Sequence, residues 1–336
     1  MKLRILTFLA ALALLVTSLA AFAACAPADP TEIRVYTLNG TTGFGMAKMM
    51  NDAKNDAFET EKYTFTVQTD ASLINAALIN GDVDIAALPT NAASVVYNKT
   101  NGGIKVLAVN TLGCLYLLTK DGTTVASIND LKGKTVYTPA QNPMMIFKSI
   151  CEKNGLTVGT GADQVNIDAT SYAAPADLRT AVAAGAVDVA VLPEPMVTMA
   201  ISGAKQAGFT YKNAMDLTAE WDKVHTPGSL VQGCVVVRTA FLEENPEAVA
   251  NFLAAYKSSI EYLSTNTKEA AQLIVDAGIF ANATVAEKAI PKCNVCYLDG
   301  ADMKSAMDVY LGVLKDIDAT KIGGKTPDAA FYYNAE

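Results

Sequence analysis

The amino-acid sequence predicts an α/β fold made of two similar lobes, followed by a mostly helical C-terminal part. Three observations support this prediction. Apolar strands and amphipathic helices alternate between residues 33 and 238, a short unit recurs after 104 residues, and helical spacing dominates after residue 246. The chain has 336 residues, which is enough for two domains. An apolar share of 51% and a charged share of 18% exclude a disordered chain.

The N-terminal residues have the composition of an export signal. Two basic residues within the first four are followed by an apolar stretch over residues 5–24 and then by Cys25. This order predicts a signal peptide at residues 1–24 that is removed by cleavage. Ala23-Ala24-Cys25 also resembles the lipobox of bacterial lipoproteins, although Phe22 stands where that motif prefers Leu. The resemblance implies a lipidated Cys25 that anchors the protein to the cell membrane outside the cytoplasm. Plain secretion and an uncleaved membrane anchor are the alternatives.

Alternating segments define the elements of both lobes. Short runs rich in β-branched residues indicate strands, and segments with apolar residues three or four apart indicate helices. The predicted strands cover residues 33–38, 63–68, 84–88, 104–110, 114–119, 134–138, 165–167, 188–192 and 231–238. The predicted helices cover residues 45–54, 72–80, 144–154 and 175–184. Such alternation predicts mainly parallel sheets.

One sequence unit occurs twice, at residues 81–89 and 185–193. In each copy a glycine ends a helix, an Asp opens a strand, a Leu-Pro pair ends it and a polar loop follows. The spacing is too long for a solenoid repeat, so it indicates two related lobes. Asp84 and Asp188 occupy equivalent positions, and we interpret them as structural residues, not as a catalytic acid pair.

The C-terminal part is predicted to be helical. Asn245-Pro246 has the pattern of an N-cap followed by proline in the first helical turn. Two apolar stripes at helical spacing follow, and we assign them to the core. They comprise Val249, Phe252, Leu253, Tyr256, Ile260 and Leu263, and then Met303, Met307, Tyr310, Leu311 and Leu314.

Charge and rare residue types exclude several classes of protein. The 26 basic and 34 acidic residues give a net charge of −8, which disfavours nucleic acid as a partner. The single histidine, His225, excludes a multi-histidine metal site, and we expect it to have a surface or packing role. We expect neither a metal nor a cofactor. The remaining cysteines lie in apolar or helical segments and are assigned structural roles: Cys114, Cys151, Cys234, Cys293 and Cys296.

Three motifs carry a family resemblance. They are the unit repeated at 81–89 and 185–193, the segment Ile-Asn-Asp-Leu-Lys-Gly-Lys-Thr-Val at 128–136, and Phe-Leu-Glu-Glu-Asn-Pro-Glu-Ala-Val at 241–249. In this order and spacing they resemble the SsuA/ThiY/TauA-type periplasmic binding proteins, which are grouped with NMT1/THI5-like proteins. The resemblance extends over residues 32–275. It implies a type II periplasmic-binding-protein fold without enzymatic activity, in which two lobes close on a small molecule and deliver it to an ABC permease.

The resemblance also implies how the chain is divided. Lobe 1 is expected to combine residues 32–118 with 230–336, and lobe 2 to comprise 119–229, with the ligand cleft between them. We expect a monomer. Two alternatives use the same fold. One is a THI5-type enzyme for a pyrimidine precursor, a family with a pyridoxal-linked lysine, an active-site histidine and a cysteine-rich iron motif, but no clustered cysteine motif is present in this chain. The other is a ligand sensor for a membrane receptor.

The candidate ligand site follows from a rule about open α/β sheets, in which ligands bind beyond the carboxyl ends of the strands. Glycine-rich loops and free helix N-termini suit such contacts, whereas polar residues at helix starts also serve as caps. The candidates from lobe 1 are Asn39, Gly40, Thr41, Thr42, Gly43, Asp70, Ser72, Thr90, Asn91, Asn110 and Thr111. The candidates from lobe 2 are Thr138, Gln141, Asn142, Tyr172 and Glu194.

The charges of these loops favour one class of ligand. The loops contain no Lys or Arg, and Asp70 and Glu194 are their only charged residues. A neutral or weakly cationic heterocycle, such as a thiamine-type pyrimidine or another vitamin-like compound, therefore fits better than a sulfonate or nitrate. An anion held by helix N-termini alone is the alternative.

Overall fold

A computed structural model describes residues 29–334. The predicted signal segment 1–24 and Cys25 lie outside the described residues. The described chain contains eleven strands and thirteen α-helices, and its strands form two separate sheets. This mixed α/β architecture confirms the predicted fold class.

Lobe 1 is built on a six-stranded sheet. Its strands are β1 (Thr31–Leu38), β2 (Glu61–Gln68), β3 (Ile85–Pro89), β4 (Ile104–Leu112), β10 (Val231–Arg238) and β11 (Val295–Leu298). The spatial order is β2-β1-β3-β10-β4-β11. β1 pairs in parallel with β2 and β3, whereas β10 is antiparallel to both β3 and β4. The helices α1 (Thr41–Phe44), α2 (Ala47–Lys54), α3 (Ala71–Asn80) and α4 (Thr90–Thr100) connect the first four strands.

Lobe 2 is built on a five-stranded sheet. Its strands are β5 (Leu115–Lys120), β6 (Thr135–Tyr137), β7 (Asn166–Asp168), β8 (Val189–Pro193) and β9 (Tyr211–Asp216), and its helices are α5 (Asn142–Lys153), α6 (Pro175–Ala183), α7 (Met196–Gln206) and α8 (Leu217–Val224). The spatial order is β7-β6-β8-β5-β9. All of β5 pairs with β8 and β9, including the part that the sequence analysis placed in lobe 1. The division at 118/119 and 229/230 stays a prediction.

The two sheets share one topology. In each, the strand of the repeated unit is parallel to an inner strand on one side and antiparallel to a long strand on the other: β3 lies between β1 and β10, and β8 lies between β6 and β5. Gly81 and Gly185 both have the left-handed backbone conformation expected after a helix, with φ of 81° and 68°. The repeat therefore marks equivalent positions of two lobes. The expectation of mainly parallel sheets is wrong, because five of the nine strand pairings within the described residues are antiparallel.

Two helix starts differ from the sequence prediction. The segment after β1 turns helical at Thr41, four residues before the predicted start at 45. The polar pair Thr90-Asn91, predicted as a loop, forms the first turn of α4 directly after Pro89. Pro89 has the extended backbone of an N-cap, and Ala92 and Ala93 at the start of the helix favour a helical conformation.

The C-terminal helices are α9 (Thr239–Glu244), α10 (Pro246–Thr265), α11 (Thr267–Asp276), α12 (Ala283–Ala289) and α13 (Gly300–Asp318). Both predicted apolar stripes pack as core: all of their members are buried except Leu253, which packs partly buried against the same cluster. α13 contacts α4, β4 and β10 of lobe 1 as well as α5 of lobe 2. Within the described residues, no helix is both long and apolar enough to cross a bilayer.

Candidate functional site

A groove of about 720 Å³ lies between the two lobes. Lobe 1 contributes residues from the segments 70–75 and 89–95, together with 320–321, to its walls, and lobe 2 contributes 140–143 and 173–175. Five of the sixteen predicted site residues line it: Asp70, Ser72, Asn91, Gln141 and Asn142. The loops at the carboxyl ends of the strands therefore meet across the lobe boundary, as the rule for open α/β sheets requires.

Four helices direct their N-terminal ends towards this groove. α3, α4, α5 and α6 each contribute residues of their first turn to its lining. Asp70 caps α3 by accepting a hydrogen bond from the Ser72 amide at 2.8 Å. The other three helices have no side-chain cap. No side chain occupies their first-turn amides, although Pro143 of α5 and Pro175 of α6 have no N–H to donate, and the helix dipoles favour negative charge in the groove.

Carboxamide side chains dominate the polar lining. Asn75, Asn91, Gln141 and Asn142 all belong to the groove. Asn142 donates a hydrogen bond from Nδ2 to Oδ1 of Asn91 at 2.7 Å, which joins the lobes directly. Gln141, just before α5, has φ of 68° and ψ of −128°, a conformation that favours glycine. Backbone strain therefore occurs within the lining of the groove.

A second junction between the lobes involves Thr41 and Glu194. The Thr41 hydroxyl donates to the Glu194 carbonyl oxygen at 2.8 Å and lies 3.7 Å from the Cys293 sulfur. The Glu194 side chain accepts two hydrogen bonds from Thr198, and Lys292 Nζ lies 4.0 Å from its Oε1. Glu194 is only 2% exposed. Burial raises the pKa of Glu194, because desolvation outweighs the stabilisation by Thr198 and Lys292.

Asn110 and Thr111 support the loop after β1. Both are buried, and Thr111 donates to Asn110 Oδ1 at 3.0 Å. Asn110 Nδ2 donates to the Tyr256 hydroxyl at 3.0 Å and to the Thr42 carbonyl oxygen at 3.3 Å. Both side chains therefore form their hydrogen bonds within lobe 1, and Asn110 fixes the position of the Thr42 backbone. Neither residue lines the groove.

The remaining residues of the loop after β1 take part in backbone hydrogen bonds and close backbone packing. The amides of Asn39 and Gly40 donate to the carbonyl oxygens of Gln68 and Ile279. At Gly43 a Cβ atom would lie 2.2 Å from the Leu38 carbonyl oxygen, so close packing explains that glycine. None of these three residues lines the interlobe groove.

Three other predicted residues lie beneath or beside the groove. Thr90 and Thr138 are fully buried, and neither hydroxyl has a hydrogen-bond partner among residues 29–334. Tyr172 packs edge-on against Tyr137 with ring centroids 5.6 Å apart, and it lies partly buried against the core of lobe 2.

Sequence reasoning missed two lysines at the site. Lys321 lines the groove, and Lys292 lies beside Glu194. Both come from the C-terminal part of the chain, which approaches the candidate loops only in the folded protein. The candidate loops themselves contain no Lys or Arg, but the folded chain adds a basic residue to the groove from another segment.

Other residues singled out from the sequence have structural roles. Asp84 is 3% exposed and binds Arg34 and Arg238, each at 2.7 Å, whereas its counterpart Asp188 is exposed. His225 packs against Trp221 with ring centroids 4.0 Å apart and shares a hydrogen bond with Ser149. Burial lowers the pKa of His225. The five cysteines of the described chain are unpaired thiols. No group of three His, Cys, Asp or Glu side chains within 29–334 is arranged to hold a metal ion.

Comparison with known proteins assigns the family. The model of the family described as NMT1/THI5 like matches residues 67–270, more than half of the chain. The chain belongs to the NMT1/THI5-like family. No curated protein sequence matches this family member.

Solved structures share the fold of this NMT1/THI5-like protein. An ABC transporter protein from Parabacteroides distasonis has a TM-score of 0.75 and 24% identity, and the match covers 90% of this chain and 99% of that one. The aliphatic sulphonate binding protein SsuA from Escherichia coli has a TM-score of 0.68 and 14% identity, covering 88% and 96%. The nitrate-binding protein NrtA from Synechocystis has a TM-score of 0.52 and 15% identity, covering 74% and 66%. These likenesses confirm the periplasmic-binding-protein-like fold.

Proposed function

We propose that this protein is the extracytoplasmic solute receptor of an ABC importer, and that it binds a small molecule by closure of its two lobes. One observation carries the proposal: a single groove is lined by five predicted site residues drawn from both lobes. A ligand there contacts both lobes at once, so its binding energy favours the closed form. Family membership and the fold shared with ABC transporter proteins support the same function.

The proposal includes export and anchoring. Residues 1–24 act as the signal peptide, and Cys25 carries the lipid that holds the receptor at the membrane beside its permease. A Cys25→Ala variant tests this point, since it should lose incorporation of a labelled fatty acid and appear in the soluble fraction. Secretion without an anchor is favoured instead if the wild-type protein is also soluble and unlabelled.

A nitrogen heterocycle of the thiamine-pyrimidine or vitamin-like type is the first candidate ligand. Asn75, Gln141 and Oδ1 of Asn142 offer carboxamide donors and acceptors in the groove, which match the edge of such a ring. Asp70 adds a carboxylate at the rim. We propose reversible binding without covalent chemistry, because Asp70 and Lys321 are the charged side chains that line the groove and His225 is packed elsewhere.

A sulfonate or a similar anion is the second candidate, and a specific observation favours it. Three uncapped helix N-termini and the Lys321 side chain surround the groove. Such an arrangement stabilises negative charge. The likeness in fold to a sulphonate-binding and a nitrate-binding protein is consistent with an anion.

Thermal unfolding in the presence of candidate ligands tests the proposal. The protein is first refolded from denaturant to remove any bound ligand. The panel contains thiamine-type pyrimidines, riboflavin, alkanesulfonates, taurine and nitrate. A ligand at 100 times its dissociation constant stabilises the folded state by about 2.7 kcal/mol, which shifts the midpoint by several degrees. A shift with heterocycles alone supports the first candidate, and a shift with sulfonates alone supports the second. Catalytic turnover of any compound would contradict the proposal.

A further inference from the structure

The orientation of two carboxamides at the groove is fixed by their neighbours. Asn91 Nδ2 lies 3.2 Å from the Lys321 carbonyl oxygen. A backbone carbonyl only accepts hydrogen bonds, so Asn91 must present its amide nitrogen to Lys321. Its Oδ1 atom then points to Asn142, which in turn must donate from Nδ2, as the 2.7 Å contact shows.

This chain of hydrogen bonds leaves one oxygen unused. Because Nδ2 of Asn142 is committed to Asn91, Oδ1 is the free end of the side chain. It is shielded from solvent and has no hydrogen-bond partner among residues 29–334. Across the groove, Oδ1 of Asn75 in lobe 1 is likewise shielded and without a partner in the described chain. Two lining residues, one from each lobe, thus hold buried acceptors.

From this arrangement we propose that Asn142 selects ligands carrying an N–H or O–H donor, and that Asn75 accepts a second donor from the same ligand. The inference rests on the proposed function and narrows its ligand class. A buried acceptor without a donor costs the folded complex its full desolvation penalty. Amines, amides and hydroxylated compounds are therefore preferred to ligands that only accept, such as simple alkanesulfonates or nitrate. A ligand with an anionic group and an amine satisfies both the helix N-termini and the two oxygens.

Matched pairs of compounds test the inference. One pair is 4-amino-5-hydroxymethyl-2-methylpyrimidine and 2,5-dimethylpyrimidine, and the other is taurine and ethanesulfonate. In each pair only the first member carries donors. Dissociation constants are measured by calorimetric titration for the wild-type protein and for Asn142→Ala and Asn75→Ala. The control is Gln206→Ala, which removes an exposed carboxamide of α7 outside the groove.

In the pair that binds, the donor-bearing compound should bind at least about tenfold more tightly to the wild-type protein, because one unmet buried acceptor costs roughly that factor. The ratio of the two dissociation constants within that pair should fall towards one in Asn142→Ala and fall partly in Asn75→Ala. It should be unchanged in Gln206→Ala. The unfolding temperature of each free variant is measured first, so that a folding defect is recognised separately.

Two outcomes separate this inference from the proposed function. Equal binding of both members of a pair to the wild-type protein, or a preference unchanged in Asn142→Ala, overturns the role of Asn142 and leaves the receptor function in place. Failure of all four compounds to bind the wild-type protein contradicts both proposed ligand classes, and the inference falls with them.

Discussion

Replacing the buried carboxylate of lobe 1 by an amide, Asp84→Asn, is expected to lower the free energy of unfolding by about 2–3 kcal/mol. Asp84 Oδ2 accepts hydrogen bonds from the Arg34 amide and Nε, both at 2.9 Å. Its Oδ1 accepts from the guanidinium groups of Arg34 and Arg238, each at 2.7 Å. The carboxylate thus ties β1 and β10 to the segment that precedes β3.

The magnitude follows from the burial of each partner. Breaking a fully buried ion pair costs about 3–5 kcal/mol. Arg34 is 45% exposed and regains water when its partner changes, and the amide oxygen of Asn still accepts one hydrogen bond, so the expected loss is smaller. Asp188→Asn is the matched control, because this residue occupies the equivalent position in lobe 2 but is exposed. Asp188→Asn should change the free energy of unfolding by no more than about 0.5 kcal/mol.

The pH dependence provides a second check. Burial alone would raise the pKa of Asp84, but the hydrogen bonds from Arg34 and Arg238 outweigh it and hold this pKa below its ordinary value. A depressed pKa in the folded state adds stability above the ordinary value, and that stability is lost as the pH falls through the folded pKa. The difference between wild type and Asp84→Asn should therefore shrink in acid.

Urea unfolding at pH 7 and at pH 3 measures both effects, with midpoints and slopes compared among wild type, Asp84→Asn and Asp188→Asn. Equal effects of the two substitutions at pH 7 would refute the assignment of Asp84 as the buried structural member of the pair.

Two further predictions concern the interlobe site. Gln141→Gly should raise the unfolding temperature by about 2 °C. The reason is that the relief of backbone strain, about 1–3 kcal/mol, exceeds the entropic cost of glycine in the unfolded chain. An unfolding temperature below that of the wild-type protein in calorimetry would contradict backbone strain at Gln141. Glu194→Gln should become more stable relative to wild type as the pH rises from 4 to 8. The raised pKa of Glu194 means that its favourable contribution is complete below the ordinary carboxyl pKa and is lost as the pH rises through the folded pKa. A constant difference between the two proteins over this range would show that Glu194 titrates normally.

Much of the fold follows from local sequence patterns. The strands Val231–Arg238 and Glu61–Gln68 were predicted within two residues because their apolar runs end at polar or turn residues. The repeated unit predicted two related lobes, since the glycine, the buried strand and the proline recur together. The antiparallel partners of β3 and β8 could not be predicted, because pairing between strands distant in sequence leaves no local signal.

The site was predicted less completely than the fold, and the reason is again distance along the chain. Asn91, Gln141 and Asn142 of the groove lining were among the predicted residues because they follow strands, and the topology of the sheets brings such residues together. Lys321 lies 230 residues after Asn91, so its place beside that side chain depends on how the segment after α13 folds back onto α4. Asn75 was overlooked because it lies one turn inside α3 and not in a loop.

Hydrogen–deuterium exchange with and without the best ligand of the panel tests whether the ligand binds between the two lobes. We expect new protection on both walls of the groove, in the segments 70–75 and 89–95 of lobe 1 and 140–143 and 173–175 of lobe 2. A second cavity of about 720 Å³, lined by Lys105, Lys304 and Tyr332 on lobe 1, provides the internal comparison and should remain unchanged. Protection confined to that cavity, or to one lobe alone, would contradict binding between the lobes.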